Sequence, residues 1–247
     1  MSSRFTLLPL VLLAITITGH AQNITITTKQ GFQLKADYFE PLNEENKAVL
    51  LLHQCNLNRT MYEEIGNELR LRGMHALSLD FRGFGDSTNE SFDRKNLRKL
   101  PQKERRAAFK AIREYWPQDV QQAYNFLREK IGKKGHIGVI GASCGGKQAK
   151  IIAEKNSIKA INFFSSAMTN GENGAKYYKE NFSEIPTLFI SAEQDATYKF
   201  TQEGFTLNDN KNSKFISYKG NKHGYPLLIQ DQHLAPTIAE WFDQNLI

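Results

Sequence analysis

The sequence has 247 residues, is 40% hydrophobic and carries a formal charge of +6 at neutral pH. That length and apolar content suit one sizeable core, so one domain is expected rather than two. The basic excess lacks the aromatic-and-basic pattern of a nucleic-acid module, which removes that class of function.

The chain begins MSSRFTLLPLVLLAITITGHAQ, with Arg4, an apolar run from Phe5 to Ile17, and then Gly19, His20 and Ala21. A short basic region, an apolar run short for a bilayer, and small residues at the −3 and −1 positions describe a secretory signal peptide, 1–21, cleaved after Ala21. No basic stop-transfer cluster follows to suggest a membrane anchor, and no cysteine stands near the cleavage site to carry a lipid. Loss of Arg4 lowers the charge from +6 to +5. The mature chain, 22–247, is then expected in the periplasm or outside the cell, where its two cysteines, Cys55 and Cys144, meet oxidising conditions.

ITITTKQG and FQLKADYFE alternate apolar and polar residues around Gly31, the pattern of a hairpin of edge strands. KAVLLLH is a continuous apolar run, as expected of a buried central strand. Met61 to Leu71 has helical spacing and stops at Arg72-Gly73, and HALSLDF is a second central strand. From Ser87 to Tyr115 the connection is too long for a simple loop, and a small helical insertion, about 88–115, is expected there. It is dense in bases: Arg94, Lys95, Arg98, Lys99, Lys103, Arg105, Arg106, Lys110 and Arg113 stand against Asp93 and Glu104. A solvated helical face is the preferred reading, an anion-attracting rim the other. A helix is expected from about Trp116 to Ile131 with Pro117 at its entrance.

HIGVIGA then gives a strand, a helix follows from Gly145, and IKAINFFSS is a strand. A helical stretch around Lys176 to Asn181, the strand PTLFISA, a helix near Phe200 and the strand KFISYKG come next. The last helical region, PLLIQDQHLAPTIAEWFDQNL, is expected to break near Pro236. This alternation predicts the α/β class, a mostly parallel sheet with helices on both faces. Such sheets bind ligands at the carboxyl ends of their strands, so the loops after Leu52, Phe81, Ala142, Ala192 and Lys219 share one edge.

On that edge, Gly141-Ala142-Ser143-Cys144-Gly145 fits G-x-S-x-G at a strand-to-helix turn. The residues two before and two after the nucleophile pass too close together for a Cβ, and centring on Ser143 puts glycine at both. Centring on Cys144 puts Ala142 at one of them, so serine is the better nucleophile. A serine hydroxyl needs a general base, and the base an orienting acid. His223, just beyond the final strand, and Asp195, after the penultimate one, follow Ser143 in the order expected for a nucleophile on such a turn. Glu193 is the rival acid. Two backbone N–H groups must hold the oxyanion; Cys144 is one, and Cys55, with Gln54 as runner-up, the other. Donors that share one oxyanion lie close enough for Cys55 and Cys144 to pair as a disulfide; two buried free thiols are the alternative. His53, at a buried strand end, is read as a structural histidine.

LLHQCNLNRTMY, GMHALSLDFRGFGDS, IGASCGGKQA, PTLFISAEQDATY and NKHGYP together resemble an α/β-hydrolase, closest to the dienelactone-hydrolase-like and serine-esterase branch. The resemblance covers nearly the whole mature chain and implies structural roles for Asp80 and Arg82 in the turn after the fourth strand. Members commonly have glycine where this chain has Gln54; dienelactone hydrolases have cysteine where it has Ser143, so that narrow activity is not transferred. The expectation is an exported serine hydrolase cleaving a carboxylic ester or related acyl bond of a small molecule through Ser143, His223 and Asp195. It calls for no metal or organic cofactor, no nucleic acid and no membrane anchor. Acyl transfer or peptide cleavage by the same residues, or a binding protein that kept the fold, are the alternatives.

Overall fold

The computed structural model describes residues 21–43 and 46–247, so all of the expected signal peptide except Ala21 lies outside the described residues. Eight strands form one sheet: β1 (Gln22–Thr27), β2 (Gln33–Phe39), β3 (Lys47–Leu52), β4 (His75–Leu79), β5 (His136–Ala142), β6 (Ile158–Phe164), β7 (Thr187–Ala192) and β8 (Lys214–Tyr218). Their order is β1-β2-β4-β3-β5-β6-β7-β8. β1 and β2 form the expected antiparallel hairpin, β2 runs antiparallel to β4, and all strands from β4 to β8 in that order are parallel.

β3 is fully buried beyond Lys47, because the sheet is covered on both sides. Its side chains still alternate. Leu50 and Leu52 enter a core with Trp116, Val120 and Leu127, while Val49 and Leu51 face Ile65, Leu69, Ile238 and Phe242. The first core is covered by α3 (Gln102–Ile131), α4 (Cys144–Lys155), α5 (Gly174–Phe182) and α6 (Tyr198–Leu207). The second lies under α1 (Glu63–Leu71), entered through the 3-10 turn Arg59–Tyr62, with α7 (Tyr225–Gln230) and α8 (Leu234–Asn245). No described helix is long and apolar enough to cross a membrane.

Two expected boundaries move. The helix expected at Trp116 starts at Gln102 instead, and Pro117 sits inside it. The apolar stripe explains this: Phe109, Ile112, Trp116, Val120, Ala123, Leu127 and Ile131 recur at three- and four-residue intervals straight through the proline. Packing along that stripe outweighs the one hydrogen bond that Pro117 forgoes. The expected helical insertion, about 88–115, consists of the short α2 (Arg94–Leu97) and the exposed first half of α3. The last helical region breaks at 231–233, not at Pro236. Pro236 stands in the first turn of α8, where backbone N–H groups have no partner within the helix to lose.

The site is positioned by the point where strand order reverses. From β3 the chain crosses to β4 on one side and later returns to β5 on the other. The loops leaving β3 and β5 therefore emerge side by side at the carboxyl edge, where a crevice forms in open α/β sheets.

Candidate active site

Register sets the first relationship. β3 and β5 are parallel with Leu52 opposite Gly141, and Cys55 and Cys144 each stand three residues further on. They are disulfide-bonded, with their Cα atoms 5.7 Å apart. Of the two readings left open by the sequence, the pair is the one observed.

Between β5 and α4 the chain turns sharply through Ser143, at φ 52° and ψ −117°. A non-glycine residue with positive φ is costly and persists only where its surroundings impose it. Here they do. A Cβ on Gly141 would lie 2.5 Å from Gly145 O, and one on Gly145 would press into the Leu52 and His53 carbonyls. The third glycine has another cause: a Cβ on Gly146 would strike the side chain of Ser166. That hydroxyl lies 3.0 Å from Ser143 O and 3.2 Å from Gly141 O, bridging the two sides of the turn.

Cys144 is the first residue of α4, so its N–H has no partner within the helix and points out of the N-terminus with the helix dipole behind it. Cys55 lies across the disulfide in the loop after β3. The two candidate oxyanion donors thus belong to covalently linked residues.

His223, in the loop after β8, lies with Nδ1 2.7 Å from Asp195 Oδ2. An ionised carboxylate only accepts, so Nδ1 carries a proton, and in the neutral imidazole Nε2 is the nitrogen with the lone pair. The Asp195 side chain is 2% exposed. Burial alone would raise its pKa, but the hydrogen bond from His223 and the N–H and hydroxyl of Thr197 (2.8 and 3.0 Å, both to Oδ1) outweigh it and hold the carboxyl below its ordinary value. Glu193, the rival, is exposed, and the structure brings Asp195 to His223 instead.

The loop that carries His223 is held by two side chains whose bracing role has no signature in the sequence. Ser165 Oγ accepts the N–H of Gly224 at 3.0 Å, and Gln54 Oε1 accepts the next one, of Tyr225, at 2.9 Å. Gly224 has φ 65°, and a Cβ there would collide with the Gln54 amide. Gln54 is buried after β3 and also donates to Asn56 Oδ1 at 2.5 Å. Gln54, at the position where the resemblance implies glycine, thus uses its side chain to brace the histidine loop. Ser165, itself at φ 46°, follows β6 and precedes Ser166. Adjacent serines therefore tie the nucleophile turn and the histidine loop to the end of one strand.

His53 is fully buried, with Nδ1 donating to Gln54 O at 2.8 Å and Nε2 accepting the Phe81 N–H at 3.1 Å. Burial pushes its pKa down to about 4, so it stays neutral and works as a two-ended brace. Beyond β4, Asp80 accepts the N–H groups of Arg59 (2.7 Å) and Asp86 (2.8 Å) and pairs with the Arg59 guanidinium. Arg82 grips Asp119 with two bonds, 3.0 and 2.7 Å, and is stacked 4.2 Å from both the Phe32 and Tyr115 ring centroids. Asp80 and Arg82 thus anchor the turn after β4.

A groove of about 660 Å³ opens from Ser143, with Lys147, Lys150, Met168, Tyr177 and Thr197 in its walls. No group of side chains among the described residues is arranged to hold a metal ion.

Residues 43–192 match the family described as serine aminopeptidase, S33. The chain belongs to this family of α/β-hydrolases. It is a serine hydrolase by that membership, and the sheet order and nucleophile turn above are those of the α/β-hydrolase fold. The esterase Pf2001 of Pyrococcus furiosus superposes with a TM-score of 0.67 at 17% identity, covering 92% of this chain and 93% of that one. A dienelactone hydrolase from Anabaena variabilis gives 0.67 at 15% identity, covering 93% and 100%. An esterase from Exiguobacterium antarcticum gives 0.60 at 13% identity, covering 90% and 99%. At these identities the likeness is one of fold. No curated protein sequence matches the chain.

Proposed function

We propose that this chain is an exported serine hydrolase that cleaves a carboxylic ester of a small molecule through an acyl-enzyme. The observation that carries the reading is the pairing of His223 Nδ1 with buried Asp195 at 2.7 Å, on the same sheet edge as a serine held at positive φ. His223 Nε2 takes the Ser143 hydroxyl proton as Oγ attacks the ester carbonyl. The N–H groups of Cys55 and Cys144 receive the charge that develops on oxygen. His223 then returns the proton to the departing alcohol, and water, activated by the same imidazole, releases the acid. Asp195 remains ionised throughout and fixes the imidazole tautomer.

Export rests on the leader-like N-terminus and is supported by the disulfide, a bond that persists in oxidising compartments. The family description names an aminopeptidase, which sets ester against peptide cleavage. An aminopeptidase must receive the ammonium group of its substrate, yet the groove at Ser143 presents Lys147 and Lys150 against the single acid Glu154. Like charge disfavours that substrate, so the ester reading stands.

A series of p-nitrophenyl esters of graded chain length tests it, alongside aminoacyl-p-nitroanilides. Ester turnover that falls about 10⁴-fold or more in Ser143→Ala supports the assignment. Cleavage of anilides but not esters would transfer the chain to the peptidases.

A further inference from the structure

One wall of the groove at Ser143 is a single face of α4, with Lys147, Lys150, Ile151 and Glu154 at the spacing of successive helical turns. Two like charges one turn apart repel, and neither lysine enters a salt bridge among the described residues. Lys150 is half-buried, with Nζ 4.7 Å from the Tyr177 ring centroid and 3.5 Å from Met168 O. Burial pushes its pKa down, and neighbouring Lys147 acts in the same sense against the opposing pull of Glu154. Two lysines on one wall, neither held in a salt bridge among the described residues and both lining the nucleophile's own groove, present a site for an anion. The N-terminal end of α4 adds its positive dipole to the same field.

We propose that the acyl group accepted at Ser143 carries a carboxylate at its far end, bound by Lys147 and Lys150. The proposal rests on the ester-hydrolase reading and names its substrate class. Lys147 and Lys150 are about 6 and 10 Å along the helix axis from Ser143, and Glu154 about 16 Å, at 1.5 Å rise per residue. An anion carried much beyond Lys150 meets Glu154. The wall therefore sets a ruler, and half-esters of medium-length dicarboxylic acids place their free carboxylate within it. Met168, Ala167 and Ile151 supply apolar surface for the intervening methylenes.

The test compares p-nitrophenyl hexanoate with the p-nitrophenyl half-ester of adipic acid, equal in chain length and different in charge. At low salt the half-ester is expected to have the higher kcat/KM, with the gain in KM. The anionic-to-neutral ratio should fall about tenfold in Lys147→Ala/Lys150→Met, the size expected from losing two partly exposed charge contacts. Raising the salt to several times the 0.1 M at which charges are screened beyond about 10 Å should shrink the ratio in the wild type but not in the variant. An unchanged ratio in the variant, or preference for the hexanoate at low salt, overturns the proposal. Should neither ester be cleaved, the ester reading fails, and calorimetric titration with adipamate still reads the site. Binding lost in the double variant supports it, and no binding to the wild type overturns it.

Discussion

Cys55 and Cys144 each stand three residues beyond a registered pair of the sheet, Leu52 and Gly141, and their bridge joins the two loops that carry the candidate oxyanion donors. The donors are backbone groups, so the side chains and the N–H groups separate experimentally. Cys55→Ala/Cys144→Ala keeps both N–H groups. It is expected to lose about 2–5 kcal/mol of stability in urea unfolding, as for a bridge closing a long loop, while keeping turnover within about tenfold. A variant as stable as the wild type would contradict the role of the bridge in the fold. Turnover lost together with native structure would be uninformative about the donors, so circular dichroism accompanies the assay.

Gln54 and Ser165 hold consecutive amides of the histidine loop. Gln54→Met keeps the volume and removes the acceptor from the Tyr225 N–H. Leaving a partly buried amide unpaired costs about 1–3 kcal/mol locally, so His223 should spend less time in place. Turnover is expected to fall about tenfold with KM little changed, because the loss touches proton transfer and not substrate binding. A rise in KM alone would make Gln54 a groove residue instead.

His53 gives a pH dependence with a definite sign. Its pKa is about 4 in the fold, against an ordinary 6.5 when unfolded. Between those values the unfolded chain binds a proton that the folded chain refuses, so stability is complete above about pH 6.5 and is lost as pH falls toward 4. The loss is at most about 3.5 kcal/mol at about 1.4 kcal/mol per pH unit. Urea midpoints from pH 7.5 to 4.5 should decline more steeply in the wild type than in His53→Gln. Parallel curves would remove His53 as the cause.

Asp119 is buried and bound at both oxygens by Arg82. Arg82→Met strands that carboxylate and should cost about 3–5 kcal/mol, whereas Arg82→Met/Asp119→Leu removes the pair together and should cost much less. Thermal unfolding of both variants decides it; equal losses would place the stabilisation in the stacking of Arg82 on Phe32 and Tyr115.

What could be read from the sequence followed from periodicity and steric rules. The glycines at Gly141 and Gly145 announced a turn with no room for Cβ atoms, and the alternation of strands and helices located the edge. Helix boundaries near Pro117 and Pro236 were misplaced because a proline is a local signal, while a stripe of core contacts such as Phe109, Ile112 and Trp116 acts over the whole helix. Ser165, Ser166 and the bracing role of Gln54 were not legible. Their partners lie far away in the chain, Gln54 and Tyr225 171 residues apart, and no spacing rule connects such positions. The groove walls were hidden for the same reason: Lys150 and Tyr177 meet only after α4 and α5 have packed.

The central claim is covalent chemistry at Ser143, and mass spectrometry after fluorophosphonate treatment tests it most directly. The folded protein should gain one phosphonyl adduct, mapped to the peptide that contains Ser143. Labelling should be strongly slowed in Asp195→Asn, by up to about 10⁴-fold if the imidazole tautomer is lost, and absent in Ser143→Ala. No adduct on a folded wild-type protein, or an adduct retained by Ser143→Ala, would contradict the account.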